Sequence, residues 1–302
     1  MMNIKHSFSL LLALFLINIG LSGCNSHTPR SYTDKSGDLV TVESTSSSTD
    51  TDLQTGQLSA TPAGDDDNSS ANLSAADGIE IPAPLTDRPE IILRRAGYTV
   101  SYNKELLLPN WVAWHLTAAN TDGGAQRKGI KFEEDTDVPS PRADTHDYVQ
   151  SGYDRGHMCP AGDNKWSLEA MEQSFLMTNI CPQDPGLNRG DWNEMEKQCR
   201  VWAERYGDIY IVAGPILYNQ THATIGKHHV VVPEAFFKVV LCLQGTPKAI
   251  GFIYKNRDGD RPKGDYVNSL KDIERITGIH FFPNLPAKTR QAIEAHQDLS
   301  QW

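Results

Sequence analysis

The sequence lacks an excess of positive charge, which at first sight excludes a partner as acidic as nucleic acid. Its 302 residues carry 28 lysines and arginines against 38 aspartates and glutamates, for a formal net charge of −10. The acidity is local, because residues 25–90 contribute −9 of this charge and residues 91–302 only −2. The larger part of the chain is thus near neutral, and nucleic acid is not excluded.

The sequence also has no apolar run near its N-terminus that is long enough to cross a bilayer. The run over residues 8–19 follows Lys5 and is shorter than the roughly 20 residues of a membrane-spanning helix. It has the form of a secretory signal and ends in Leu21-Ser22-Gly23-Cys24, which resembles the bacterial lipobox. Residues 1–24 are therefore predicted to be a lipoprotein signal peptide; a signal peptide with an incidental cysteine is the alternative. The prediction implies an exported bacterial lipoprotein, anchored to a membrane on its periplasmic or cell-surface side by lipid at Cys24.

Large apolar side chains are scarce between residues 25 and 90. Residues 44–50 and 65–70 are serine, threonine, asparagine and aspartate. Such a segment cannot bury enough surface to offset the entropy of ordering, which predicts a disordered acidic linker. No fixed-period repeat is visible, and residues 91–302 are predicted to form one domain.

The patterns of residues 91–302 predict a mixed α/β domain. Alternating or β-branched runs predict strands, which lie at residues 98–102, 111–116, 209–212, 229–232, 236–243 and 249–254. The run over 236–243 is apolar on both faces apart from Lys238, which predicts a central strand.

Two helices are predicted between the strand groups. Ser167 can cap a helix that runs from 168 to about 177. Asp191 and Glu194 have the spacing of a capping box, which predicts a helix that ends at Gly207. One stripe of this second helix is predicted to pack inward: Trp192, Met195, Cys199, Trp202 and Tyr206. Glu196 and Arg200 lie side by side at the edge of that stripe, where a site can use both.

Residues with the chemistry of phosphodiester hydrolysis concentrate between 153 and 200. His157 offers a base that titrates near neutrality. Oxygen ligands suited to a hydrated Mg²⁺ are supplied by Asn179, Asn188 and Glu196, and donors matched to phosphate oxygens by Arg155 and Arg200. Taken singly, each has an ordinary alternative. Asn188 fits a turn before Arg189-Gly190, and Glu196 with Arg200 fits a surface pair worth about half a kcal/mol.

The blocks that carry these residues resemble the DNA/RNA non-specific endonuclease family in order and spacing. They are Asp154-Arg155-Gly156-His157, Asn179 with Pro182-Gln183, Leu187-Asn188, and Trp192 through Glu196 to Arg200. The resemblance spans nearly all of residues 95–285. It implies an α+β fold with a mixed, mainly antiparallel central sheet, flanked by helices and containing a ββα-metal nuclease core.

The resemblance also implies roles for the side chains. His157 is expected to be the general base that activates water, and Asn179 to orient groups near it. Arg155 and Arg200 are expected to stabilise the charge that builds on the phosphate.

The same resemblance implies a cofactor and a substrate. Asn188 is expected to be a direct ligand of Mg²⁺, with Mn²⁺ as a substitute, and Glu196 to hold water on the metal. The expected activity is an endonuclease that cleaves DNA and RNA backbones without sequence specificity and leaves 5′-phosphate ends. Two alternatives remain: a catalytically idle DNA-binding surface lipoprotein, and a metal-dependent phosphatase or phosphodiesterase that acts on small esters.

Four cysteines follow Cys24, namely Cys159, Cys181, Cys199 and Cys242, and they allow three disulfide pairings. The family resemblance implies that His157 and Asn179 lie close together. Because Cys159 follows His157 by two residues and Cys181 follows Asn179 by two, we hypothesise a disulfide between Cys159 and Cys181. A structural zinc held by Cys159, Cys181 and Cys199 is the competing hypothesis, although these cysteines lack the usual C-x₂₋₄-C spacing.

Overall fold

The computed structural model describes residues 78–295 and 297–302, together with the backbone of two short strands at 30–33 and 39–42. The predicted signal peptide with Cys24 lies outside the described residues, as does most of the predicted linker. Inside the linker, the two short strands pair antiparallel, with Arg30 opposite Val42. Residues 78–90, which the sequence assigned to the linker, pack on the domain, and Ile79 is buried there.

The six strands and two helices predicted from the sequence are present in that order, and further elements that were not predicted lie between and after them. The strands are β1 (Arg30–Thr33), β2 (Leu39–Val42), β3 (Ile91–Arg94), β4 (Thr99–Asn103), β5 (Leu108–Thr117), β6 (Asp154–His157), β7 (Ile180–Gln183), β8 (Asp208–Ile216), β9 (Thr224–Ile225), β10 (Val230–Val231), β11 (Ala235–Cys242), β12 (Lys248–Lys255) and β13 (Val267–Asn268). The helices are α1 (Leu168–Gln173), α2 (Pro185–Arg189), α3 (Asp191–Tyr206), α4 (Leu270–Thr277) and α5 (Ala287–Ala295).

Seven strands form one antiparallel sheet in the order β13-β12-β11-β8-β5-β4-β3. The predicted central strand, β11, pairs along its length with β8 on one side and β12 on the other. All of its residues are buried, Lys238 included. The strand reads as a continuous apolar run because both faces of the sheet are covered.

The two faces of the sheet contribute to two separate cores. On β11, Phe236 and Val240 join the core that contains the buried stripe of α3. Phe237 and Val239 face the other way, into the core that contains α4 and α5. Alternate residues of one strand therefore hold a helical layer on each side, in the manner of a three-layer domain.

A small ββα unit lies on the α3 side. Strands β6 and β7 pair antiparallel, with His157 opposite Ile180, and helices α2 and α3 follow in the chain. The α3 stripe is buried as predicted at Trp192, Met195, Cys199 and Trp202. Its buried face fixes the rotation of α3, so that residues at the edge of the stripe face the β6–β7 hairpin.

Two local predictions on the helices were wrong. Asp191 does not cap α3, because Gly190 occupies the N-cap position and Asp191 is the first helical residue. Its carboxylate instead accepts a hydrogen bond from the Tyr266 hydroxyl. Ser167 does cap α1, but this helix ends at Gln173, and a separate 3₁₀ turn, Met177–Asn179, leads into β7.

The hypothesised bridge between Cys159 and Cys181 is absent. Both thiols are free and buried, as are those of Cys199 and Cys242. The pairing of β6 with β7 places Cys181 opposite Gly156, three residues before Cys159. Asn179, rather than Cys181, faces the backbone of Cys159.

Among the described residues, no helix has both the length and the apolar character that a membrane crossing needs.

Candidate active site

A cleft of about 890 Å³ lies where β6, α2 and α3 meet the loop around residues 122–127. Five of the six residues that the sequence singled out line it, from three separate elements: Arg155, His157, Asn188, Glu196 and Arg200. The sixth, Asn179, does not. Residues 45 positions apart in the chain are therefore brought to one concave surface, which is the usual form of a catalytic site.

His157 closes β6 and packs its ring between two phenylalanines. Its centroid lies 5.2 Å from that of Phe132 and 5.0 Å from that of Phe175. Its Nε2 atom is buried and has no hydrogen-bond partner among the described residues. Burial, with a smaller effect from the positive charge of Arg127, lowers the pKa of His157 to about 3, well below the near-neutral value expected from the sequence. The imidazole is therefore neutral at pH 7, the state in which it can accept a proton.

Asn188 is oriented by Asp154. Its Nδ2 donates to Asp154 Oδ2 at 2.9 Å, while Arg189 holds the same carboxylate through Nε and Nη2 at 2.8 and 2.6 Å. Partial burial alone would raise the pKa of Asp154, but the hydrogen bonds from Arg189 and Asn188 outweigh it and lower that pKa. With its amide nitrogen engaged, Asn188 has its Oδ1 left for a cation, which suits a hard oxygen-seeking metal.

Glu196 lies on the cleft wall, one helical turn beyond Trp192. Among the described residues, none donates a hydrogen bond to its carboxylate. Burial raises the pKa of Glu196 to about 7, and the nearby ammonium of Lys238 has the largest opposing effect. A carboxylate that is desolvated and unpartnered is suited to a cation, because a divalent ion would favour its charged form.

Arg155 and Arg200 reach the cleft from opposite elements and are both held in place. The Arg155 guanidinium lies over the rings of Phe132 and Tyr148, at 5.5 and 5.6 Å, and its Nη2 donates to the carbonyl of Thr145 at 2.6 Å. Arg200 donates from Nη1 to Asp163 at 2.8 Å. Pre-positioned guanidinium groups lose little conformational entropy when they bind an anion.

Asp163 is a residue that sequence reasoning missed. It is buried in a 3₁₀ turn, where it accepts from Arg200 and, at 3.0 Å, from Trp114 Nε1. Burial raises its pKa, and the charge of Arg200 opposes that shift most strongly. Nothing in the local sequence around Asp163 signals this role, since its partners come from β5 and α3.

Asn179 lies outside the cleft, so it cannot supply one of the oxygen ligands that the sequence offered for a metal there. Its side chain is fully buried, accepts from the backbone nitrogen of Cys159, and donates to the carbonyls of Cys159 and Ser174 at 2.8 Å each. These bonds use the amide oxygen and both amide hydrogens within the protein. Asn179 therefore fixes the backbone that follows His157, and it cannot contact a substrate in the cleft.

Besides Arg189, which pairs with Asp154, two further cations line the cleft. Arg127 stacks over the ring of Phe175 at 5.5 Å, and Lys165 is exposed at the rim. Sequence reasoning passed over both, because they lie in loops and in no recognised block. They give the cleft a local positive lining within a domain that is close to neutral.

A second group of possible ligands lies in a separate pocket. Asp144, Asp147 and His228 bring one ligand atom each to within 4.8 Å of one another. The Asp147 carboxylate already accepts from the backbone nitrogens of Asp144 and His228 and pairs with His228 Nδ1 at 3.0 Å. The hydrogen bonds of the buried Asp147 thus already account for this group, and they join two loops.

The comparisons with known proteins agree with this site. A family model described as DNA/RNA non-specific endonuclease matches residues 75–288. Human mitochondrial nuclease EXOG is 38% identical over 206 residues, a match that covers 63% of this chain and 56% of EXOG. Nuclease C1 of Cunninghamella echinulata var. echinulata is 39% identical over 214 residues, a match that covers 65% of this chain and 84% of Nuclease C1. The chain thus spans less than two thirds of the human EXOG relative but most of the fungal one.

A solved structure shares the fold. The crystal structure of an EndoG/EndoGI complex aligns with a TM-score of 0.63 and 26% identity, over 68% of this chain and 90% of that chain. This likeness confirms the α+β fold with its antiparallel sheet and ββα unit. The family resemblance inferred from the sequence blocks is confirmed by the family match.

Proposed function

Since the chain belongs to the DNA/RNA non-specific endonuclease family, we propose that it is a Mg²⁺-dependent endonuclease that cleaves DNA and RNA backbones without reading base sequence. The observation that carries the proposal is the shared cleft. A neutral histidine, two cation-seeking oxygens and two fixed guanidinium groups line the same wall. Binding alone would need neither a base nor a metal site, which argues against an idle DNA-binding protein.

The residues that would hold the metal are Asn188 and Glu196. They fit a hydrated divalent cation, because Asn188 has a free Oδ1 and Glu196 a desolvated carboxylate without a hydrogen-bond donor among the described residues. Bound there, Mg²⁺ would stabilise the negative charge that develops on the phosphate. Mn²⁺ has the same preference for oxygen and would be an effective substitute.

His157 would act as the general base through Nδ1, since its Nε2 is buried in the protein. The water oxygen attacks phosphorus while His157 takes its proton, and the bond from phosphorus to the 3′ oxygen breaks. The 3′ oxygen takes up a proton from solvent water and His157 releases its proton to solvent, which leaves a 3′-hydroxyl and a 5′-phosphate. Arg155 and Arg200 would bind the phosphate oxygens whose charge increases on the way to the transition state.

Supercoiled plasmid and structured RNA, incubated with the full chain in Mg²⁺ and in EDTA, test this proposal. Nicked and linear plasmid with Mg²⁺, intact plasmid with EDTA, and products that ligate through 5′-phosphates are expected. A bis(p-nitrophenyl) phosphate control separates the alternative activity on small esters. Hydrolysis of that ester with intact plasmid and RNA would overturn the proposal, and so would a mobility shift of DNA without cleavage.

We further propose that the chain is exported and lipid-anchored. The support is the sequence Leu21-Ser22-Gly23-Cys24 after an apolar run of signal length. Palmitate labelling of a bacterial host that expresses the full chain tests this. Label on the wild type that is lost in Cys24→Ser supports the anchor, whereas equal label or none on both contradicts it.

A further inference from the structure

Lys238 is a lysine in the middle of the central strand, and its side chain is fully buried. It pairs through its backbone with Ala213 on β8 and Phe252 on β12. Its Nζ atom has no hydrogen-bond partner among the described residues. A buried ammonium without hydrogen bonds is costly, and a methionine of similar shape would fill the same space more favourably. Packing alone therefore does not account for a lysine at this position.

The ammonium lies against the helix that carries part of the cleft. Its Nζ is 4.2 Å from the centre of the Trp192 ring and 5.6 Å from that of Trp114. Contacts of this kind between a cation and an indole face are favourable, more so when both groups are desolvated. Lys238 thus sits directly beneath the first turn of α3, on the side of the sheet where the ββα unit packs.

Trp192 connects this cation to the base. The edge of its indole donates from Nε1 to the carbonyl oxygen of His157 at 3.1 Å. A positive charge on the indole face polarises the ring and strengthens the N–H as a donor. The contact between Lys238 and Trp192 therefore reinforces the hydrogen bond that holds the backbone of His157.

The same ammonium also faces the carboxylates of the site. Glu196 lies one helical turn beyond Trp192, and Lys238 is the cation with the largest favourable effect on its charged form. Asp163 is subject to the same influence, second to that of its partner Arg200. The charge of Lys238 thus favours the charged forms of two acids, the half-buried Glu196 on the cleft wall and the buried Asp163.

We propose that Lys238 is a positioning residue of the cleft: its buried ammonium, seated on Trp192, holds the Trp192 indole on the carbonyl of His157 and fixes the base relative to Glu196 on α3. The inference rests on the endonuclease activity proposed above. Lys238 lies behind the cleft wall and does not contact a substrate. It acts on turnover through Trp192, and it has no part in nucleic-acid affinity.

Lys238→Met in the full chain tests this, because methionine keeps the length of the side chain and removes its charge. The kcat for plasmid cleavage is expected to fall about tenfold or more, with KM within about threefold of wild type. The melting temperature is expected to stay the same or rise, because a buried unpaired charge is lost. If the melting temperature of Lys238→Met falls together with its activity, Lys238 has a structural role instead. A variant as stable as wild type that keeps the wild-type kcat would overturn the proposal.

Val240→Ala is the matched control. Val240 is buried two residues along the same strand and faces the same core. Its truncation should lower stability by about 1–3 kcal/mol while leaving kcat of the folded protein within about threefold. A fall of kcat as large as that of Lys238→Met would contradict the proposal, because any packing defect on this face would then suffice.

A second variant keeps the test decisive if Lys238→Met does not fold. Trp192→Phe retains a smaller aromatic face for the ammonium and removes the donor to His157, so its kcat is compared per folded molecule. Its kcat is expected to fall about tenfold or more, again with little change in KM. A folded Trp192→Phe enzyme with the wild-type kcat would overturn the proposed connection.

A readout independent of catalysis separates this inference from the proposed function. The six tryptophans give six indole N–H resonances, and that of Trp192 is assigned by its loss in Trp192→Phe. Its hydrogen-exchange protection is expected to drop about tenfold or more in Lys238→Met, since the hydrogen bond to His157 weakens. Unchanged protection would refute the inference. An inactive wild type with the expected loss of protection would refute the endonuclease alone.

Discussion

Asn188 donates from its amide nitrogen to Asp154 across 2.9 Å, so the proposed metal ligand is oriented by the first residue of the block that ends in the base. Asp154 opens β6 and His157 closes it. One short strand therefore sets both the direction of the Asn188 amide and the location of the imidazole. This gives a physical reason for the presence of Asp154 and His157 in one block of four residues, Asp154-Arg155-Gly156-His157.

Removal of the Asp154 carboxylate should lower the affinity for the metal more than it lowers the stability of the protein. In Asp154→Ala the Asn188 amide is free to rotate, and the Mg²⁺ concentration for half-maximal cleavage should rise about 10–100-fold, as for other outer-shell partners of metal ligands. A Mg²⁺ titration of plasmid nicking measures it. Arg189→Ala, which deletes the exposed partner of the same carboxylate but spares Asn188, should shift the midpoint less than about threefold. Equal midpoints for Asp154→Ala and wild type would contradict the orienting role.

Asn179 should matter for stability and hardly at all for chemistry. Asn179→Ala deletes three buried hydrogen bonds, at about 1 kcal/mol each, and should lower the free energy of unfolding by about 3 kcal/mol. Urea unfolding at pH 7 measures this loss, and cleavage per folded molecule should stay within about threefold of wild type. The control is Asn193→Ala, which changes an asparagine on the cleft wall and should alter stability by less than about 0.5 kcal/mol. Wild-type stability with a large loss of kcat in Asn179→Ala would contradict this structural role.

The sequence predicted best those features that depend on neighbours in the chain. The buried stripe of α3 follows from helical periodicity, and the central place of β11 from a run that is apolar on both faces. Asp163 could not be found in this way, because its partners Trp114 and Arg200 become neighbours only when β5 and α3 pack. The predicted Cys159–Cys181 bridge was wrong for a related reason, because the register of β6 and β7 places Cys181 opposite Gly156 and not beside Cys159. The spacing of the two cysteines from His157 and Asn179 does not determine this register.

Metal binding should depend on pH through Glu196. Its pKa of about 7 in the metal-free protein means that protons compete with the cation near neutrality. Affinity should rise as pH increases from 6 to 8, by nearly tenfold per unit below the pKa and less above it. His157 should not contribute over this range, since its pKa is about 3. Calorimetric titration with Mn²⁺ at pH 6, 7 and 8 measures the trend, and Glu196→Gln should flatten it. A trend that persists in Glu196→Gln would assign the titration to another group.

Lys165 should contribute to the binding of the phosphate backbone. It is exposed at the rim of the cleft, and Lys165→Ala should lower affinity for DNA of any sequence and reduce the salt slope, d log K/d log[salt], by about one. The measurement is fluorescence anisotropy with labelled duplexes in Ca²⁺, from 50 to 300 mM salt. Lys271→Ala, an exposed lysine on α4 across the sheet, should leave the slope unchanged. Equal slopes for wild type and Lys165→Ala would place the substrate path elsewhere.

One cleft is proposed to hold both the base and the metal ligand of a nuclease. The most direct measurement compares plasmid cleavage in Mg²⁺ by wild type, His157→Ala, Asn188→Ala and the control His115→Ala, whose imidazole pairs with Asp208 outside the cleft. We predict Mg²⁺-dependent nicking by wild type and control, and a loss of about 100-fold or more in each cleft variant although all four proteins are folded. Cleavage at the wild-type rate by either cleft variant would show that this residue has no part in catalysis and that the active site lies elsewhere.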